Sequence, residues 1–220
     1  MQVIYNAKRW NVLRTKREKA INVMEKLADL HPIVHGSVAR GDVREDSDVD
    51  IAILRPVPPY MVELRLHFSH GYIVQATPFS TPKAYLALDE REEVVISFPL
   101  APLSRSEIEF YAFGGQLDLE GLKKGLRVPG IDKSLHLIVP TDQGHWEEPV
   151  IGMEGEAAKL LGISILTIKE RIALLTRRRE RGHTGVFVKF KFQGSVEEAL
   201  YEMARKNKLF RKKLENAGML

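Results

Sequence analysis

The sequence contains no cysteine and has no long uninterrupted run of apolar residues. Without cysteine the chain can form no disulfide and can offer no thiolate ligand to a metal ion. A membrane helix needs about 18 apolar residues in succession, and residues 1–9 lack the apolar core of a signal peptide. These absences exclude disulfide-stabilised secreted modules and predict a cytoplasmic protein without a membrane span.

Acidic side chains are scarce in the last third of the chain. Residues 151–220 contain 15 Lys and Arg, 8 Glu and no Asp, whereas residues 1–150 contain 18 basic and 21 acidic side chains. A basic segment of this kind is typical of a unit that meets polyanions, although it also occurs as a solvated surface. A chain of 220 residues can bury one larger and one smaller core. We therefore predict two domains, residues 1–149 and residues 150–220.

The segment from Gly36 to Asp50 is rich in polar residues and lies between two apolar runs. The apolar run before Gly36 predicts a buried strand that ends at this glycine. The alternation from Asp48 to Ile53 predicts a second strand. Because side chains alternate between the faces of a strand, Asp48 and Asp50 should point to the same side, about 7 Å apart.

Each half of this segment suits one part of a nucleoside triphosphate. A glycine lets the backbone approach a phosphate closely, and Ser37 adds a hydroxyl at the start of a predicted helical turn. Neighbouring carboxylates suit Mg²⁺ or Mn²⁺, which bridges them to substrate phosphates. The sequence therefore predicts that Gly36 and Ser37 bind phosphates, while Asp48 and Asp50 hold the metal ion and act in catalysis.

The pattern Gly36-Ser37-x10-Asp48-x-Asp50 between two apolar strands resembles the signature of the DNA polymerase beta-like nucleotidyltransferase superfamily, particularly its minimal archaeal and bacterial members. The resemblance implies an α/β fold with a mixed sheet flanked by helices. It also implies metal-dependent transfer of a nucleoside monophosphate from a nucleoside triphosphate, such as ATP, to an acceptor hydroxyl. Members of this superfamily modify antibiotics, tRNA ends, DNA or partner proteins, so several classes of acceptor stay open, including the protein acceptors of antitoxins that adenylylate a toxin.

Many members of this superfamily carry a third acidic residue on a later strand, as a metal ligand or a general base. Here residues 62–68 and 72–77 predict two adjacent strands, where Gln75 takes the corresponding place and Glu63 is the only acidic side chain. An amide cannot accept a proton at neutral pH. The alternative function is therefore a DNA-binding regulator or antitoxin-like protein whose transferase domain binds nucleotide with little or no turnover.

Residues 156–175 predict two helices joined at Gly162, with Ser164 as the N-cap of the second helix. This sequence pattern resembles that of bacterial and archaeal DNA-binding helix-turn-helix domains. The alternating residues 186–192 predict a strand that would form the wing of such a domain. The resemblance implies a small winged helix-turn-helix domain that contacts DNA or RNA. The residues assigned to this contact are Thr167, Lys169, Arg171, Arg177, Arg178 and Arg179. The other interpretation is a packing or dimerisation module with a basic surface.

Overall fold

Helices and strands are intermixed along the part of the chain that the computed structural model describes, which is residues 1–182, 185–216 and 218. The strands are β1 (Gln2–Ile4), β2 (Ile33–His35), β3 (Val49–Ala52), β4 (His70–Gln75), β5 (Lys83–Ala87), β6 (Val94–Pro99), β7 (Gln116–Asp118), β8 (Gly130–Ile131), β9 (His136–Thr141), β10 (Gly144–Pro149) and β11 (Val188–Phe192). The helices are α1 (Ala7–Lys26), α2 (Ser37–Arg40), α3 (Tyr60–Glu63), α4 (Arg105–Gly114), α5 (Leu119–Lys123), α6 (Glu154–Leu161), α7 (Ile165–Arg181), α8 (Val196–Lys206) and α9 (Lys208–Asn216).

The larger of two sheets has the strand order β11-β4-β5-β6-β3-β2-β7. The strands β3 and β6 are parallel, and the other neighbours are antiparallel. One face of this sheet, which we call the back face, carries the fully buried side chains Ile51, Ile73, Leu86, Ile96 and Phe98. They belong to one hydrophobic cluster with residues of α1, α8 and α9. A mixed sheet flanked by helices is the architecture that the sequence predicts.

The smaller sheet has the order β1-β10-β9-β8 and is antiparallel throughout. Residues of β8 and β9 form a second hydrophobic cluster with Phe113 of α4, Ala157 of α6 and Ile168 of α7. The two helices α6 and α7 meet where the sequence predicts. Gly162 adopts the left-handed conformation between them at φ 65°, and the Ser164 hydroxyl accepts a hydrogen bond from the Leu166 N–H group.

The predicted wing is wrong, because β11 is the edge strand of the larger sheet. It pairs with β4 in antiparallel register from Val188 opposite Gln75 to Phe192 opposite Gly71. Phe192 packs directly over Gly71, where any Cβ atom would collide with the ring. The apolar face of the strand is therefore buried against the core instead of a helix-turn-helix unit. The turn that would have led into the wing includes His183 and Thr184, which lie outside the described residues.

The predicted strand at residues 62–68 is also wrong. The chain forms the short helix α3 directly after Pro59, and the next strand, β4, begins at His70. Proline has a fixed φ angle and no N–H group, which favours the start of a helix. The predicted hairpin therefore supplies only one strand here.

Both hydrophobic clusters contain residues from the two sides of residue 150. Phe192, Val196, Leu200 and Phe210 pack with the core that contains the larger sheet. No helix of the described ranges is long and apolar enough to span a bilayer.

Phe210 provides a test of this packing, because its side chain on α9 is fully buried in the larger cluster. We expect Phe210→Ala to lower the free energy of unfolding of the whole chain by about 3–5 kcal/mol, since it leaves a cavity. Urea denaturation followed by circular dichroism measures this value. The exposed Tyr201 of α8 is the control, and Tyr201→Ala should change the free energy by less than about 0.5 kcal/mol. Equal stability of the two variants would show that α9 does not belong to this core.

Candidate functional site

A cleft of about 450 Å³ brings the two halves of the sequence motif together. One wall consists of residues between positions 36 and 50, including Gly36, Ser37, Asp48 and Asp50. The facing wall consists of residues between positions 132 and 147 of the smaller sheet and its turns. The predicted phosphate-binding and metal-binding residues therefore line one cavity.

The register of the larger sheet places these residues side by side. His35, the last residue of β2, is paired with Asp50 of β3. Gly36 and Ser37 follow immediately, so the chain turns away from the sheet next to the two aspartates. Gly36 takes a positive φ of 77°, and its N–H group donates to the Gly115 carbonyl at 2.9 Å. Glycine is favoured here because side chains strain this backbone conformation.

Two buried arginines hold the loop that carries Gly36 and Ser37. The Arg40 guanidinium donates to both carboxylate oxygens of Asp42, at 3.0 and 2.9 Å, and to the Gly114 carbonyl at 2.6 Å. Arg17 of α1 donates to the carbonyls of Val38 and Ala39, at 3.2 and 3.1 Å. Charge-assisted bonds of this kind restrict the loop to one conformation, which keeps the serine next to the aspartates.

The electrostatics of the aspartate pair fit a divalent cation. Burial raises the pKa of Asp48, which the neighbouring Asp50 carboxylate raises further, and burial also raises the pKa of Asp50. The ammonium group of Lys133 opposes both shifts. Two adjacent carboxylates offer hard oxygen ligands and an unbalanced negative charge, which suits Mg²⁺ or Mn²⁺. Within the described ranges, no third His, Asp or Glu side chain completes a metal-binding cluster around them.

Sequence reasoning did not assign the facing wall to the site. Lys133 lies in the turn between β8 and β9, and it lines the cleft. His145 of β10 is buried, and its Nδ1 atom lies 2.7 Å from the Tyr5 hydroxyl, while its Nε2 atom lies 3.3 Å from a Glu147 carboxylate oxygen. The local signals were a basic residue, Lys133, in a predicted loop and a histidine two residues before a glutamate. Their positions against the motif depend on how the two sheets pack.

The predictions for a third acidic position are wrong. Gln75 is buried and donates to the carbonyls of Pro78 and Ser80, both at 3.1 Å. The pairing of β3 with β6, of β6 with β5 and of β5 with β4 places the side chain of Val74 on the same face of the sheet as Asp50. Since neighbouring side chains of a strand point to opposite faces, Gln75 lies on the back face. Glu63 of α3 accepts the N–H group of Val196 at 2.7 Å. The residue of β6 that is paired with Asp50 is Val95.

Two of the residues predicted to contact nucleic acid face α4 instead. The Thr167 hydroxyl donates to a Glu109 carboxylate oxygen at 2.5 Å, and the side chain is buried. The Arg171 guanidinium lies 4.6 Å from the centre of the Phe110 ring, and burial lowers its pKa to about 10. Both side chains therefore lie on the face of α7 that packs against α4, and neither is available on its outer face for contact with a nucleic acid.

The other four residues of that prediction differ in exposure. Lys169, Arg177 and Arg179 are exposed, and Arg178 is partly buried. They leave a basic surface on the outer side of α7.

The contact between Thr167 and Glu109 should stabilise α7 on α4. We expect Thr167→Val to destabilise the chain by about 1–3 kcal/mol, because the buried carboxylate loses a hydrogen-bond donor. Hydrogen exchange of peptides from α6 and α7 should become faster. Lys169→Ala, an exposed change on the same helix, should leave exchange unaltered. Unchanged protection in Thr167→Val would contradict the assigned role of this hydrogen bond.

Comparison with known proteins identifies one similarity. A family model described as a nucleotidyltransferase domain matches residues 15–99. No curated protein and no solved structure matches the chain significantly. The matched segment runs from within α1 to β6 and contains Gly36, Ser37, Asp48 and Asp50, whereas Lys133, His145 and α7 lie outside it. The match and the mixed sheet support a nucleotidyltransferase domain of the superfamily over this part of the chain.

Proposed function

We propose that this chain is a metal-dependent nucleotidyltransferase, which transfers a nucleoside monophosphate from a nucleoside triphosphate to an acceptor hydroxyl. The observation that carries the proposal is the cleft in which Gly36, Ser37, Asp48 and Asp50 meet. All four residues lie in the segment that matches the nucleotidyltransferase family.

The walls of the cleft suggest how a triphosphate would bind. Gly36 and Ser37 would hold the β- and γ-phosphates, with Lys133 and Arg9, which line the same cleft, supplying positive charge. Asp48 and Asp50 would hold Mg²⁺ or Mn²⁺, which supplies charge neutralisation at the phosphates when bound. In phosphoryl and nucleotidyl transfer the protein contributes mainly positioning and electrostatic stabilisation.

The reaction that this arrangement supports is an in-line displacement. The acceptor oxygen forms a bond to the α-phosphorus, and the bond from this phosphorus to the oxygen that bridges to the β-phosphate breaks. Pyrophosphate leaves, and the proton of the acceptor hydroxyl passes to solvent. We assign this proton to solvent because β6 carries Val95, which has no proton-accepting group, beside Asp50.

The aspartates provide the direct test of this function. We expect Asp48→Asn and Asp50→Asn each to reduce pyrophosphate release from labelled triphosphates, with Mn²⁺ or Mg²⁺ present, by at least about 100-fold. Each variant removes a carboxylate that would hold the metal ion. The measurement uses the full chain with a panel of candidate acceptors, and calorimetric titration of Mn²⁺ reports ion binding independently.

Asp46→Asn is the matched control for both variants. Asp46 lines the same cleft, but its side chain is 78% exposed and lies before β3. This variant should keep its rate within about threefold, a change in activation free energy below about 1 kcal/mol. Equal losses in Asp46→Asn and Asp50→Asn would indicate a general charge effect of the cleft, and unchanged release in Asp50→Asn would refute the function.

A second candidate is a nucleic-acid-binding protein with a nucleotide-binding domain of low turnover. Two observations favour it, the absence of a carboxylate at Val95 and the exposed basic side chains of α7. The inward orientation of Thr167 and Arg171 disfavours sequence-specific contact. Binding to duplex phosphates without base recognition is the form of this candidate that the exposed side chains support.

Salt dependence tests this candidate. We expect Arg177→Glu/Arg179→Glu to weaken binding to duplex DNA and to reduce the slope of log affinity against log salt by about 1.8, since each lost phosphate contact contributes about 0.9. Fluorescence anisotropy at several salt concentrations measures this slope. Arg205→Glu/Lys208→Glu, an equal change in charge at exposed positions, should retain the slope of the wild type. Equal slopes in both double variants would reject α7 as the contact surface.

A further inference from the structure

The larger sheet has a second face that is only partly covered. The back face is fully buried at Ile73, Leu86 and Ile96, whereas Val74 and Val95 on the other face, which we call the front face, are only partly buried. A pocket of about 180 Å³, here named the front pocket, is set into the front face. The lining residues that matter for the argument are Tyr72, Val74, Tyr85, Ala87, Val95 and Lys189.

The front pocket begins one strand away from the aspartate pair. Val95 on β6 is paired with Asp50, Ala87 on β5 is paired with Val95, and both side chains share the face of Asp50. Neighbouring strands lie about 4.8 Å apart. A group bound in the front pocket would therefore extend from the edge of the metal-binding position outward over β5 and β4.

The direction of in-line displacement makes this position informative. Gly36 and Ser37 follow β2, which lies on one side of β3, whereas the front pocket starts at β6 on the other side. The attacking and leaving oxygens lie on opposite sides of the reacting phosphorus. If the leaving phosphates bind at Ser37, the acceptor hydroxyl approaches from the side of β6, where the front pocket lies.

The composition of the front pocket indicates the chemistry of its occupant. Its floor is apolar, and two tyrosine rings border it. The ammonium groups of Lys189 and Lys191 on the edge strand β11 lie 4.4 and 5.6 Å from the centre of the Tyr72 ring. Both lysines are exposed at alternate positions on the front face. Aromatic rings that accept a flat base, next to lysines that accept phosphates, are typical of sites for single-stranded nucleic acid.

Glu92 is the acidic residue of this rim, and its carboxylate is engaged. It accepts the Tyr72 hydroxyl at 2.7 Å and lies 2.9 Å from the Nε2 atom of His70. These contacts fix the Tyr72 ring in place. The Glu92 side chain is still 46% exposed, so an incoming ligand meets one carboxylate together with the two exposed lysines.

We propose that the front pocket binds the acceptor and that this acceptor is the 3′ terminus of a single-stranded nucleic acid. The terminal base would lie against Tyr72 and Tyr85, and the adjoining phosphates would lie on Lys189 and Lys191. The inference rests on the proposed function. The 3′ hydroxyl oxygen forms the new bond to the α-phosphorus, its proton passes to solvent, and pyrophosphate leaves with the electrons of the broken bond.

A binding experiment without triphosphate tests the front pocket alone. A 5′-fluorescent single-stranded oligonucleotide is titrated with the full chain, and anisotropy is read at several salt concentrations. Lys189→Glu/Lys191→Glu should weaken binding at least tenfold and reduce the salt slope by about 1.4, since each single-strand phosphate contact contributes about 0.7. Tyr72→Leu should weaken binding about fivefold or more, through lost stacking, with the slope unchanged.

Lys212→Glu is the control for the lysine variants, because Lys212 is exposed on α9, whose core-facing residues pack under the back face. It should bind the oligonucleotide with the affinity of the wild type. Equal affinity of Lys189→Glu/Lys191→Glu and Lys212→Glu would overturn the proposal. A loss confined to the front-face variants would support it, even if the chain shows no transferase activity.

A transfer experiment separates this inference from the proposed function. Labelled triphosphate and Mn²⁺ are added to the oligonucleotide, to the same oligonucleotide with a dideoxy 3′ end, and to free nucleoside monophosphate. Label on the free 3′ end alone, lost in Lys189→Glu/Lys191→Glu, is the expected result. Label on the chain itself, on an added protein or on the free nucleotide alone would overturn the nucleic-acid acceptor while leaving the transferase function intact. Failure of the wild type to bind triphosphate would refute the proposed function instead.

Discussion

The site depends on one constraint, the register between β2 and β3. His35 is paired with Asp50, and the chain leaves the sheet at Gly36 directly beyond this pair. A shift of one residue would turn Asp48 and Asp50 to the back face, among the buried side chains of the core. The apolar residues Val49, Ile51 and Ile53 oppose such a shift, because each is buried on the back face and would become exposed. The packing of the core therefore also fixes the orientation of the carboxylates.

The electrostatic balance of the cleft comes from two sheets. The larger sheet contributes the repulsion between Asp48 and Asp50, and the turn before β9 contributes the opposing charge of Lys133. The Arg40 contacts to Asp42 and Gly114 keep the serine loop in place between them. In the proposed function, a phosphate-bearing ligand would meet Lys133 on one wall and a cation held by the aspartates on the other. This division explains how a segment outside the matched region, residues 132–147, could set the properties of the site.

In the C-terminal third, the sequence pattern predicts the type of element but not the part of the molecule against which it packs. The alternation of lysine and phenylalanine in β11 predicts a strand with one apolar and one charged face. A wing and a sheet edge both satisfy that alternation, so local sequence cannot choose between them. Ile73 and Gly71 of β4 decide the outcome, because they offer a buried surface to Phe190 and Phe192. In the same way, α7 begins after the predicted N-cap Ser164 but continues to Arg181, past the predicted end at residue 175. Glu109 and Phe110 of α4 hold Thr167 and Arg171 on its inner side.

The sequence by itself determined the Gly-Ser turn, the strand that carries Asp48 and Asp50, and the helix pair around Gly162. These features follow from short-range periodicity and from residues that favour particular backbone conformations. Only the tertiary structure decided that Lys133 and His145 line the same cleft as the aspartates, that Gln75 and Glu63 do not, and that β11 joins the larger sheet. Those relations depend on contacts between residues far apart in the chain, which alternation and capping signals do not encode.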